Sequence, residues 1–232
     1  MRKLIANIFL FLASILLMIF VSEIALRIAL PVGRKRSRYM SSRNIFHYDA
    51  RNIRFDEDLG YMMKPDLKTV FSNLEFRTEV LANSFGARDD ENSLENPDII
   101  LLGDSFAFGC GVEKDQTCES FLEKLCHVAV LNLGLSGYGT VQEFLILKRW
   151  AAQHKQLKNK LIVFLFYSND LSENLGYGFD NYPTVYTENG VTRFSKCTRD
   201  GYDRWLKACN ESMSRGLNKH SYFVSEWRSF IK

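Results

Sequence analysis

The sequence predicts an α/β fold built on a parallel sheet covered on both faces, behind one N-terminal membrane helix. Three short apolar runs, Asp98–Leu102 (DIILL), Val128–Leu133 (VAVLNL) and Leu161–Tyr167 (LIVFLFY), have strand length and turn residues around them, the pattern of strands buried on both faces. Amphipathic stretches at Cys118–Cys126 and Val141–Gln153 separate them, and strand–helix alternation argues a parallel sheet. Upstream, Leu4 to Val21 runs 18 residues without a charge, close to the length of a helix that crosses a bilayer.

In chain order, Arg2 and Lys3 precede that apolar run, and Glu23 and Arg27 interrupt its continuation. A cleaved signal peptide would have a shorter apolar core and a small-x-small site, so residues 1–30 read as an uncleaved anchor. Residues 31–60 are polar and basic and read as a juxtamembrane linker. The segment KTVFSNLEFRTEV, from Lys68 to Val80, alternates β-branched and aromatic residues around Ser72-Asn73 and reads as a hairpin. Beyond the third strand the signal fades, and Ser172–Asn210 reads as loop with short elements. Phe223, Trp227 and Phe230 then mark an amphipathic stretch over Ser221–Lys232. Three central strands make a thin sheet with an exposed edge, so residues 61–232 are expected to form a C-terminally incomplete domain.

Composition narrows the function. The chain has 232 residues, 46% hydrophobic and 25% charged, which excludes a disordered or low-complexity protein. Its net charge of +3 is uneven: residues 1–40 carry seven Lys/Arg against one Glu, a net of +6, leaving the body at −3. A body of that charge has no basic signature for nucleic acid, and the Arg34–Arg38 cluster suits lipid headgroups better. Five cysteines are too few for a disulfide scaffold, and Cys110, Cys118 and Cys126 have no metal-ligand spacing. Cys118 and Cys126 read as small hydrophobes packed along a helix, and Cys197 could pair with Cys209 in an oxidising compartment. No metal and no organic cofactor is expected.

Ligand sites in parallel sheets lie at the carboxyl ends of the strands, and here those ends carry polar chemistry. The first ends in Gly103-Asp104-Ser105-Phe106, the second in Asn132-Leu133-Gly134-Leu135-Ser136-Gly137-Tyr138-Gly139, and the third in Tyr167-Ser168-Asn169-Asp170. A serine, a glycine-rich turn and an asparagine converging on one face are what acyl transfer requires: Ser105 as nucleophile, with backbone N–H groups and an amide aimed at a developing oxyanion. Ser105 read alone could equally be a helix N-cap, Gly137 and Gly139 turn glycines, and Asn169 a loop cap.

The three segments together resemble the SGNH (GDSL-type) hydrolase family. GDSF at 103–106 is similar to its block I, NLGLSGYGTVQ at 132–142 to block II, and SND at 168–170 to block III. Asn83-Ser84-Phe85-Gly86-Ala87-Arg88-Asp89 resembles the lead-in found in membrane-anchored members. The resemblance implies a three-layer αβα sandwich with a flavodoxin-like parallel sheet, and a serine esterase, or an O-acyl-transfer relative, working through an acyl-enzyme. It makes Ser105 the nucleophile, with the Ser105 N–H, the Gly137 N–H (Gly134 being the alternative) and the Asn169 amide as oxyanion donors. Asp104 and Asp170 read as carboxylates that fix loops. The partners implied are the bilayer and an ester, such as an acylated glycan or lipid of the cell envelope, with the catalytic domain extracytoplasmic. Flanking charge alone would leave the body in the cytoplasm. The family's Asp-x-x-His block, which supplies the general base, has no match: His47 and His127 precede or separate the blocks, His154 ends the second helix, and His220 has Leu217 three residues before it. A binding or scaffold protein that kept the fold without the base is therefore the second expectation.

Overall fold

The computed structural model describes residues 2–29, 45–73, 76–154, 157–174 and 181–215. The chain divides into two compact units, Asn44–Asn210 and a second made of Met1–Arg43 with Glu211–Lys232. The stretch Ser221–Lys232, expected to be amphipathic, lies outside the described residues.

In the second unit the apolar run forms helix α1, Arg2–Ala29. Among the described residues, however, no helix is long and apolar enough to cross a membrane. The anchor, and the membrane localisation inferred from it, are corrected accordingly. At 1.5 Å per residue the uncharged run between Lys3 and Glu23 measures about 28 Å, at the lower end of what a hydrocarbon core of about 30 Å needs, so charge interrupts the helix with no apolar length to spare. Glu23 and Arg27 then follow inside the same helix.

The larger unit begins with residues expected to be linker. A 3-10 turn at Phe46–Tyr48 leads into strand β1 (Ile53–Asp56), antiparallel to β2 (Gly60–Met63). Phe46 and Ile53 are core residues, so the polar stretch before residue 60 contributes structure from residue 45 onward. The hairpin read from sequence forms as β3 (Lys68–Ser72) against β4 (Arg77–Leu81). A short helix α2 (Asn92–Glu95) precedes the first apolar strand, β5 (Ile99–Gly103). Next come α3 (Ser105–Phe108), α4 (Cys118–Cys126), β6 (Val130–Asn132), α5 (Thr140–His154) and β7 (Leu161–Leu165). These three strands are parallel in the order β6-β5-β7, which puts the GDSF strand in the middle.

Successive residues of a strand face opposite sides, and β5 packs on both. Ile100 and Leu102, with Leu131 and Leu133, join Ile146, Leu147 and Trp150 of α5 in the main core, together with Met62, Met63, Phe71 and Val80 from the two hairpins. On the other side Leu101 and Val130 meet Ala107, with Leu122 of α4 and Val163 of β7 beside them.

The expected three-layer αβα sandwich with a flavodoxin-like sheet does not form. Among the described residues the architecture is mixed α/β with small sheets: one three-stranded parallel sheet and three separate two-stranded antiparallel ones. After β7 the described chain forms α6 (Asp170–Asn174), then β8 (Val185–Glu188) and β9 (Val191–Phe194), which pair only with each other, then α7 (Arg199–Arg215). Among the described residues no further strand pairs with β7, which leaves it an edge there, with Leu161 and Phe164 exposed on it. The apolar run predicted a strand buried on both faces, and hydropathy alone does not separate such a strand from an edge. The described residues of Ser172–Asn210 likewise include a longer helix than expected, with Tyr202, Trp205 and Cys209 of α7 in the core. Cys197 and Cys209 are buried and not joined in a disulfide, while Cys118 and Cys126 are exposed rather than packed.

Candidate functional site

Backbone pairing carries the three strand ends to one place. Beyond β6 the ladder to β5 continues, Leu133 N–H donating to Leu101 O at 2.9 Å and Leu135 N–H to Gly103 O at 3.1 Å. On the other side Gly103 is the register partner of Leu165. Both flanking loops therefore leave the sheet beside the Gly103–Ser105 turn.

At that turn Asp104 caps α3. One carboxylate oxygen accepts the Phe106 N–H at 2.9 Å and the other accepts from Asn169 Nδ2 at 3.1 Å. The GDSF and SND segments, 65 residues apart, are thus in direct contact one residue from Ser105, which is half-buried. Asp170 accepts the Tyr167 N–H at 3.1 Å. Its buried carboxyl is pushed above the usual carboxylate range by desolvation, with the charge of Asp104 adding to the shift.

The glycine-rich loop is held from behind. His47 Nδ1 lies 3.0 Å from Ser136 Oγ. The Tyr61 hydroxyl donates to Ser136 O, and the Tyr182 hydroxyl to Gly137 O, each at 2.9 Å. Gly137 has φ +80°, and a Cβ there would sit 2.6 Å from the His47 ring and 2.7 Å from the Tyr61 hydroxyl. Glycine is required on both counts, conformation and space. Gly137→Ala is expected to cost about 2–3 kcal/mol from left-handed strain plus overpacking, read as a lowered urea midpoint; an unchanged midpoint would show that the turn is not fixed this way. Gly134 is in a different position: its N–H donates to Asn132 Oδ1 at 2.9 Å, which commits that group.

The histidines are engaged elsewhere. Burial lowers His47 to about 3, a poor base for a serine. His127 ends α4 in a left-handed conformation, and His154 stacks on Trp150 with Nδ1 3.0 Å from its carbonyl oxygen. Among the described residues no histidine hydrogen-bonds Ser105, and His220 lies outside them. Among the described residues no group of three His, Cys, Asp or Glu side chains is placed to hold a metal ion.

The Asn83–Asp89 motif supports the site from below. Asn83 Oδ1 accepts the Ala87 N–H and its Nδ2 donates to Asp90 O, closing the loop on itself. Arg88, almost fully buried, donates to the carbonyls of Phe108, Gly109, Val112 and Glu79. It therefore grips the segment that follows Ser105. Asp89 accepts the Asn132 N–H and an ion pair from Lys114, which also reaches Glu119. Asn132 in turn donates to Ala107 O and Glu119. One polar network thus joins the lead-in to the first two strand ends. The roles of His47 and Arg88 were not evident from sequence. The aromatic triplet Phe46-His47-Tyr48 in a polar stretch was the available signal for the first.

No protein-family model matches the chain and no curated protein matches it. The functional reading therefore rests on residues and their geometry.

Proposed function

We propose that the chain carries a serine acyl-transfer site of the SGNH type. Ser105 Oγ attacks the carbonyl carbon of an ester, the alcohol leaves, and water releases the acid from the acyl-serine. The N–H groups of Ser105 and Gly137 and the amide of Asn169 stabilise the oxyanion. The observation that carries this reading is the Asn169–Asp104 hydrogen bond, which brings the would-be oxyanion amide to the residue next to the nucleophile. The substrate class is an ester of a carbohydrate or a lipid.

A second reading, a binding protein that retains these loops, is favoured by His47 bonding Ser136 and not Ser105. A fluorophosphonate probe separates the two. Acyl transfer predicts labelling of the full chain that disappears in Ser105→Ala and slows about 10²-fold in Asn169→Ala, the usual effect of losing one oxyanion donor. Labelling that persists in Ser105→Ala, or no labelling of the wild type, would leave the binding reading.

A further inference from the structure

The Ser136–Gly137 turn is held by an aromatic cluster drawn from distant parts of the chain. Three rings lie nearly parallel: His47 to Tyr61 with centroids 5.4 Å apart, Tyr61 to Trp205 at 5.1 Å, and His47 to Trp205 at 6.2 Å. Tyr138, the next residue after the turn, donates from its hydroxyl to Tyr61 O at 2.8 Å. Three hydrogen bonds tie the turn to side chains of the cluster: one between His47 Nδ1 and the Ser136 hydroxyl, one from the Tyr61 hydroxyl to the Ser136 carbonyl and one from the Tyr182 hydroxyl to the Gly137 carbonyl. The two tyrosines hold carbonyl oxygens. In a planar trans peptide the carbonyl oxygen and the N–H of the same unit point in opposite directions, so pinning the oxygen aims the N–H the other way. The bond to Ser136 O thus directs the N–H of Gly137 away from the cluster.

We propose that His47 is a positioning residue for the Ser136–Gly137 turn, holding it in the conformation that presents the Gly137 N–H to the Ser105 site. This rests on the acyl-transfer reading above. The imidazole has two tasks. Its ring occupies the volume that any side chain at 137 would need, and its Nδ1 fixes the Ser136 hydroxyl. It acts through shape and one hydrogen bond, not through charge, since burial keeps it neutral. A misplacement of about 1 Å can cost about 10²-fold in rate, which is why such a scaffold matters.

The test uses the full chain with two readouts, hydrogen exchange at the Gly137 amide by NMR and the rate of Ser105 phosphonylation by a fluorophosphonate. His47→Phe keeps a ring and loses the hydrogen bond. It is expected to speed Gly137 exchange and slow phosphonylation, each by about tenfold, with the probe's reversible affinity and the exchange of the β5 amides unchanged. His47→Asn, whose amide reaches the position of Nδ1, should recover most of both. Ser136→Ala should act in the same direction as His47→Phe, and it carries the test alone if the phenylalanine variant does not fold. Wild-type exchange and labelling in both variants would overturn the proposal, as would faster exchange spread equally over β5. If the wild type itself is not labelled, the acyl-transfer reading falls, and the exchange data alone then decide whether His47 holds the turn.

Discussion

Replacing Arg88 with alanine is expected to destabilise the chain by about 4–6 kcal/mol, a large share of the roughly 5–15 kcal/mol that holds an ordinary protein folded. The guanidinium makes four hydrogen bonds to main-chain carbonyls, at 2.6 to 3.2 Å, and lies over the Phe108 ring at 5.1 Å. Alanine would strand carbonyls of Phe108 and Gly109 that water does not reach, each at about 1–3 kcal/mol. Opposing this, the variant no longer buries a cation, a burden visible in the lowering of Arg88 by desolvation. Glu119 and Glu113 offset that burden in the wild type, so the lost hydrogen bonds should win. Arg88→Lys should recover little, because a single ammonium cannot span carbonyls contributed by four residues. Urea denaturation followed by circular dichroism measures the difference. A loss under about 1 kcal/mol would mean that the carbonyls find other donors, and that the lead-in motif is not what holds the segment after Ser105.

That motif shows how far the sequence could be read. The three strand ends were legible because each pairs a short apolar run with a polar turn, and a parallel ladder needs only such runs to bring the turns together. The order β6-β5-β7 then follows from placing the GDSF strand centrally. What could not be read is which strand stays at the edge. LIVFLFY is as apolar as a central strand, yet among the described residues it has one neighbour. The large sandwich expected from resemblance failed at this point, since its breadth depends on strands that the described chain does not add. The arginine's role was hidden for another reason: its acceptors are backbone carbonyls, which leave no trace in side-chain pattern. The aromatic cluster is an intermediate case. Tyr202, Trp205, Leu206 and Cys209 recur at i, i+3, i+4 and i+7, a helical face that the polar residues around it obscured. His47 lies 89 residues from Ser136, and no spacing rule connects them.

Acidification should weaken the fold through His47, and the size of the effect is calculable. The imidazole titrates near 6.5 when solvated and at about 3 in the fold, because burial opposes its charge. Between those values the unfolded chain binds a proton that the folded chain does not, so stability falls as pH falls. The slope is about 1.4 kcal/mol per pH unit from this one group, near 3 kcal/mol lost by pH 4 and 4–5 kcal/mol by pH 3. Below about 3 the folded form also protonates and the loss ends. Carboxylates titrate in the same range and must be separated from it. Asp56, held low by Arg149 against its own burial, loses stability in the same direction, whereas Asp89 and Asp170 are raised by burial and act oppositely. The difference between wild type and His47→Phe isolates the histidine, since the variant keeps all of these groups. At pH 7 the variant should be the less stable, having left Ser136 Oγ without its partner. By pH 4 the gap should have narrowed by about 3 kcal/mol, and the order inverts if the pH 7 gap is smaller than that. Parallel stability curves for the two proteins from pH 7 to 4 would show that the ring is hydrated in the folded state, and that the turn carrying Gly137 is open to water from behind.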